Sequence, residues 1–273
     1  MRGHVRRGRP WGERLALLWT VIMYTFFFGP LVTVVLMSFN RSSLGTFPIT
    51  WSLHWYRALM QGSGLLSALS LSVQLGLVVA LLSVGLGAMA AWAMVRYAGP
   101  WTRIVTVAFA ATVTVPWIIL SIGMNLVLAT LTGQGNSILG LYLGDLALSL
   151  PYAVLVLMAR LSQLDPSLEQ AARSLGAGAF HTFSRVVLPL AAPGFLAAAL
   201  MAFVVCFNNF IVQYFLAPFG VQTLPLIIYN SIRVGYSPDI DALSALLMTA
   251  SVLLVLGVQR IGAIRDVVGR RSA

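Results

Sequence analysis

Long apolar runs separated by short polar or basic stretches set the pattern of this chain. A bilayer core takes about 20 apolar residues as a helix, with a range of roughly 17–25. Six stretches reach that length: 15–38, 65–95, 104–131, 139–159, 186–216 and 242–261. The second and fifth exceed the minimum and are expected to tilt or to include a piece that does not span. The fourth is interrupted by Asp145 and Pro151. The pattern predicts an all-α integral membrane protein with six transmembrane helices.

Between the fourth and fifth runs the pattern changes. Asp165 is a good N-cap and Pro166 suits the first helical position. Glu169 follows in the first turns, where a negative charge suits the helix dipole. Leu168, Ala171, Ala172 and Leu175 recur at helical spacing and form one apolar face. Gly176 is placed to end the helix in a left-handed turn. These residues predict an amphipathic helix of about ten residues outside the membrane. It is either a surface linker between two spans or a knob whose apolar face enters a groove on a soluble partner. Pro189, Pro193 and Gly194 then set the angle at which the next span leaves. Of the other loops, Trp51, Trp55 and Tyr56 predict an interfacial helix or turn. Residues 132–138 read as a flexible turn, and 217–241, with Pro218, Pro225 and Pro238, as an irregular segment.

Composition removes whole classes. The chain is 59% hydrophobic and 9% charged, where soluble domains carry roughly 25% charge. Disorder needs the opposite balance. The net charge of +10 comes from 17 basic residues, all arginine. They lie between apolar runs and not on a soluble basic face, so no nucleic-acid partner is expected. Arg2, Arg6, Arg7, Arg9, Arg14, Arg96, Arg103, Arg160, Arg173, Arg185, Arg260, Arg265, Arg270 and Arg271 fall on one side of the six runs; Arg41, Arg57 and Arg233 fall on the other. The positive-inside rule puts both termini in the cytoplasm. The first run, at 24 residues, is too long for a signal-peptide core and is expected to stay as an uncleaved helix.

Candidate chemistry is sparse. Cys206 is the single cysteine, which excludes an internal disulfide and a cysteine-based metal site. His4, His54 and His181 fall in tails, loops or span ends. There is no Gly-x-Ser-x-Gly and no His-Glu-x-x-His, so no catalytic residue and no metal ligand is assigned. A P-loop needs a lysine on the phosphates, and the sequence has none. Polar residues inside spans are costly and are candidates for function. The clearest group is Asn208 and Asn209 in the fifth run, beside Phe210, Gln213 and Tyr214. On a helix Asn209 and Gln213 share a face, with Asn208 about 100° away. They either line a substrate path or make interhelical hydrogen bonds that hold two membrane chains together. Asn125 and Gln74 read as structural hydrogen bonders, and Asp145 as an interfacial residue.

The stretch Glu169-Gln170-Ala171-Ala172-Arg173-Ser174-Leu175-Gly176, followed by Phe183, Val187, Leu188-Pro189 and Pro193-Gly194, resembles the EAA loop of ABC importer permeases. Further matches are Pro30, Ser38-Phe39-Asn40, Trp55-Tyr56, Arg96-Tyr97, Leu161, Leu164-Asp165, Thr223-Leu224-Pro225, Ile228-Tyr229-Asn230, Arg233 and Pro238. These are similar to the second permease subunit of spermidine/putrescine importers. The resemblance implies the type I importer permease fold: a core of five transmembrane helices over 65–261, holding a cytoplasmic coupling loop at 160–189. Before the core come a cytoplasmic tail (1–14), one more transmembrane helix (15–38) and a periplasmic loop (39–64); a second tail (262–273) follows it. It implies that Asp165, Glu169, Ala171, Ala172, Leu175 and Gly176 couple to a separate ATPase dimer, which binds the ATP and Mg; this chain has no cofactor of its own. It also implies a second permease subunit, a periplasmic or lipid-anchored substrate-binding protein, membrane lipids around the spans, and a multi-pass place in a bacterial inner membrane.

Two departures matter. Gln170 replaces the first alanine of the motif, at a helix surface. Asn208-Asn209-Phe210 stands where the resembling permeases carry paired aspartates before the phenylalanine. Carboxylates attract ammonium groups and neutral amides do not. The expected cargo is therefore a polyamine or a related small amino or zwitterionic compound, such as an amino-phosphonate or an opine. An ion-coupled secondary transporter is the competing reading. It would need ionisable groups or broken helices at the midplane, and it leaves the cytoplasmic helix unexplained.

Overall fold

The computed structural model of the chain describes residues 10–42, 47–62, 64–97, 99–235 and 238–269. Arg2, His4, Arg6, Arg7, Arg9, Arg270 and Arg271 of the expected basic tails lie outside the described residues, as do the side chains of Arg260 and Arg265. The described residues are helical, with one isolated bridge between Asn40 and Trp51. In order they form α1 (Pro10–Ser38), α2 (His54–Met60), α3 (Leu65–Arg96), α4 (Pro100–Thr114), α5 (Trp117–Thr132), α6 (Ile138–Leu161), α7 (Pro166–Ser174) and α8 (Ala179–Thr182). A π turn (Phe183–Val187) leads into α9 (Leu188–Phe207), followed by α10 (Phe210–Leu216), α11 (Leu224–Val234) and α12 (Asp239–Gly269).

Four continuous helical stretches among the described residues are long and apolar enough to cross a bilayer: α1, α3, α6 and the run from α8 through α9. The third expected span is not one rod. It is α4 and α5, bent by 105°. The cause is Pro116, which has no N–H to donate and pushes Val115 to extended backbone (φ −70°, ψ 133°). The fifth expected span is also interrupted, between α9 and α10 at Asn208 and Asn209. At the start of α9 the π turn sits just before Pro189, whose nitrogen cannot donate to the Arg185 carbonyl. By contrast α6, interrupted on paper by Asp145 and Pro151, runs unbroken for 24 residues, and half of its apolar window is buried.

The chain divides into two units, Ser67–Asn230 and Met1–Leu66 with Ser231–Ala273. In the first, α6 packs along α9, and α3 closes the same core. Ala80, Ala88 and Ala91 of α3 meet Ala153, Leu157 and Leu161 of α6 and Ala191, Ala198 and Ala202 of α9. Lipid tails are as apolar as leucine, so helices in a bilayer associate through close packing of small residues and not through burial from water. Gly87 shows how close: a Cβ there would lie 3.4 Å from the Ala153 Cβ.

In the other unit α12 packs on α1 and α2. The loop between α1 and α2 is folded around Asn40, which is 1% exposed. Its Oδ1 accepts from the Thr50 backbone N–H and hydroxyl, each at 3.2 Å, and its carbonyl accepts from Trp55 Nε1 at 2.7 Å. Ser38 Oγ and the Tyr56 hydroxyl are 2.8 Å apart. The segment expected to form a helix or turn holds α2, seven residues long, and Trp51 ahead of it is 70% exposed.

Candidate functional site

Two clusters, both in the Ser67–Asn230 unit, hold the residues singled out from the sequence. The first is α7. Its cap is local: Asp165 Oδ1 accepts from the Ser167 backbone N–H at 2.9 Å. That bond favours the ionised form and holds the exposed Asp165 carboxyl below its ordinary pKa. At the other end Gly176 takes φ +85°. Its N–H donates to the Arg173 carbonyl at 2.9 Å and the Ala177 N–H to the Ala172 carbonyl at 3.0 Å, which is the Schellman arrangement. A Cβ on Gly176 would meet nothing within 4 Å, so backbone conformation alone calls for glycine.

The apolar face of α7 looks outward. Leu168 and Ala171 are exposed, Ala172 is half-buried, Leu175 is 89% exposed, and nearby Phe180 is 81% exposed. Glu169 points the other way and is buried. Arg96, the last residue of α3, donates from Nε to Glu169 Oε1 at 2.6 Å, with Nη2 2.5 Å from the same oxygen. The sequence placed Glu169 at the helix dipole; it did not reveal this partner, 73 residues away. Arg160 is also engaged. It donates to the Leu190 carbonyl at 2.8 Å. A Cβ on Gly194 would run into its aliphatic stem, so the Pro193-Gly194 pair is a close approach of α9 to the end of α6.

The second cluster surrounds the break between α9 and α10. Asn209 caps α10, its Oδ1 accepting from the Val212 N–H at 3.1 Å. Its Nδ2 donates to Asp145 Oδ1 at 3.0 Å. Gln213 Nε2 donates to the Cys206 carbonyl at 2.9 Å and more weakly to Asp145 Oδ2 at 3.5 Å. The Thr223 hydroxyl donates to Gln213 Oε1. Asp145, Asn209, Gln213 and Thr223 are all fully buried. Next in the chain, the Leu224 N–H at the start of α11 donates to Ser72 Oγ at 2.8 Å. One polar network thus joins α6, the break and the segment leading to α11. Asp145, read from the sequence as an interfacial residue, is buried within the protein and held there by two amides. α10 also lies tight on α6, because a Cβ on Gly144 would run into Leu216.

The five residues of the expected path therefore separate. Asn209 and Gln213 are committed to the network, as interhelical hydrogen bonders within this chain. The uniform helix that put them on one face is replaced by a cap and a short helix that converge on Asp145. Asn208 is exposed, its Nδ2 bonded to the Val204 carbonyl at 3.0 Å. Phe210 and Tyr214 form an aromatic group with Tyr229 of α11, with ring centroids 4.2 Å apart for Phe210–Tyr229 and 5.4 Å for Phe210–Tyr214. Tyr214 is 47% exposed. Asn125 is structural as expected, donating to the Phe215 carbonyl at 2.8 Å at the end of α10. Sequence reasoning missed Arg96, Thr223 and Tyr229 as site residues, although all three stand in matched motifs. For Asp145 the signal existed: an acid inside a span is a functional candidate by default.

Residues 83–265 match the family described as the binding-protein-dependent transport system inner membrane component. The putrescine transport system permease protein PotI of Escherichia coli is 30% identical over 248 residues, covering 88% of this chain and 86% of that one. The spermidine/putrescine transport system permease protein PotC of Escherichia coli is 29% identical over 242 residues, covering 88% and 90%. The trehalose transport system permease protein SugB of Mycobacterium tuberculosis is 31% identical over 228 residues, covering 80% and 82%. Among solved structures, a bacterial ABC transporter involved in import of the acidic polysaccharide alginate aligns with a TM-score of 0.67 at 16% identity, over 95% of this chain and 99% of that one. The MetNI methionine ABC transporter aligns with a TM-score of 0.53 at 19% identity, over 74% and 95%. Both share the fold.

Proposed function

Because the chain belongs to the family of binding-protein-dependent inner-membrane components of ABC importers, we propose that it forms the translocation path with a second permease subunit and is driven by a separate ATPase dimer docked on α7. It is a multi-pass inner-membrane protein. The observation that carries the docking reading is the division of α7 into two faces. Leu168, Leu175 and Phe180 present apolar surface that none of the described residues covers, while both ends of the helix are capped and Glu169 is tied inward. A short preformed helix with an open apolar face suits a groove on a soluble protein. ATP and Mg belong to that partner, and α12 supplies the sixth span, with both chain ends on the cytoplasmic side.

The path reading narrows to Asn208, Phe210, Tyr214 and Tyr229, with Asn209 and Gln213 holding the break that presents them. Aromatic faces and an amide suit a small amino compound, since ammonium groups are attracted to ring faces. The relatives named for putrescine and spermidine support a polyamine. The amides at 208 and 209 support a less cationic or zwitterionic cargo, such as an amino-phosphonate or an opine. A periplasmic or lipid-anchored binding protein delivers it. The docking test is direct. In the variant Leu168→Ser, Leu175→Ser, Phe180→Ser the chain is expected to insert normally and to lose its co-purifying ATPase. Full recovery of the ATPase with that variant would leave the docking reading without support. So would a wild-type chain that brings down no ATPase, the result expected of an ion-coupled transporter.

A further inference from the structure

The Arg96–Glu169 pair is a costly feature with no role in the docking face. Its side chains are 14% and 8% exposed. Taking two charges out of water is expensive, and a buried pair is weak evidence for stability; its best-attested use is to fix one arrangement of parts. Here it fixes α7 to α3. α7 otherwise packs on α8 and the π turn, the elements that follow it in the chain. The pair is thus a link to a span that α7 does not lead into. The end of α3 also grips the π turn, where the Trp92 and Phe183 rings lie 5.2 Å apart. Arginine suits such a joint, because its planar guanidinium is always charged and donates from Nε to Glu169 Oε1 while Nη2 lies against the same oxygen. Glu169 lies about 100° around α7 from Leu168 and is buried where Leu168 and Leu175 are exposed, so a push on the docking face is carried to the side that holds Arg96.

We propose that the Arg96–Glu169 pair is the joint through which movement of α7 reaches α3, with Arg96 a positioning residue that transmits coupling without contributing to ATPase docking. This rests on the reading of α7 as the ATPase dock. The test uses the whole transporter in liposomes. A reporter cysteine is introduced by Gln74→Cys, at an exposed position on α3, and its maleimide labelling rate is measured with and without ATP and vanadate. Cys206 is buried and stays in every variant as a common background. Three changes are compared: Arg96→Met; the charge-free pair Arg96→Met with Glu169→Met, which strands no buried charge; and the exchange Arg96→Glu with Glu169→Arg.

With the native pair the labelling rate is expected to change by about fivefold on trapping, the lower end of typical coupling between sites. The change should vanish in both methionine variants and return in the exchange, while the ATPase co-purifies throughout. Three results would overturn the joint alone: a native α3 that does not respond, a charge-free variant that keeps the response, or an exchange no better than Arg96→Met. A wild-type chain that recovers no ATPase would overturn the docking reading and the joint together.

Discussion

A single amide does two jobs in the second cluster. Asn209 Oδ1 caps α10 and its Nδ2 donates to the buried Asp145. An aspartate could keep the cap, but it would replace the donor with a second acceptor beside a carboxylate 3.0 Å away. Leaving a buried polar group without its hydrogen-bond partner costs roughly 1–3 kcal/mol, and two carboxyls in one dry site cannot both ionise. Asn208 is exposed and bonded only to the backbone of its own helix. Changes at such sites usually stay within about 0.5 kcal/mol. Asn209→Asp is therefore expected to lower the thermal midpoint of the detergent-solubilised chain clearly, and Asn208→Asp to leave it near wild type. Equal falls would count against the network. The geometry also explains why the departure from the paired aspartates matters here. An acid at 209 in this chain would face Asp145 and not a cargo.

Among the elements, α7 was the most legible, because both its ends are written locally. Asp165 and Gly176 act through bonds to Ser167 and Arg173, and Pro166 through its fixed φ, so spacing alone reveals them. The breaks were harder. Pro116 is visible in the sequence, yet a run judged by apolar length absorbs it. At Asn208–Asn209 no proline or glycine marks the interruption; a cap residue does, and it reads equally well as a polar residue inside a span. Glu169 shows the other limit, since its partner lies 73 residues away and no local pattern announces it. The local logic of α7 can be tested by substitution. Gly176 needs a left-handed backbone and has free space around it, so Gly176→Val should fray the end of α7. The left-handed conformation costs roughly 1–2 kcal/mol for a residue with a Cβ. Gly176→Asn should be milder, because asparagine tolerates that region. Uptake per ATP hydrolysed is expected to follow the same order, with Gly176→Val lowest. Asp165 behaves alike: its lowered pKa means that the cap is in place at neutral pH and is lost only as pH falls through that lowered value. Asp165→Asn should keep coupling at neutral pH and Asp165→Ala should weaken it.

At the scale of the whole molecule the distribution of negative charge bears on the cargo. The sequence has seven acidic residues. Asp165 and Glu169 belong to α7, and Asp145 is sealed in the network. Glu13 is in the first turn of α1, Asp239 and Asp241 are in the first turn of α12, and the Asp266 side chain is outside the described residues. Among the described residues of the Ser67–Asn230 unit the acids are Asp145, Asp165 and Glu169, and none of them is part of the aromatic group of Phe210, Tyr214 and Tyr229. Under the proposed function a polycation crossing there would find ring faces and an amide from this unit, and its charge would be met by residues outside the unit. Overall likeness does not choose the cargo, since the trehalose permease is as similar as the putrescine one. The site must choose, and its aromatic rings with one exposed amide suit an amine. The cognate binding protein, recovered with the assembled transporter, can be screened by thermal shift against polyamines, amino-phosphonates, opines, zwitterionic amino compounds and disaccharides. An amine-bearing compound is expected to raise its midpoint and the sugars to leave it unchanged. A polyamine as the strongest ligand would mean that the partners supply the missing carboxylates. A zwitterion, with polyamines silent, would mean that the amides at 208 and 209 accompany a change of cargo. Stabilisation by a disaccharide, with every amine silent, would end the amino-compound reading while leaving the ATPase dock on α7 intact.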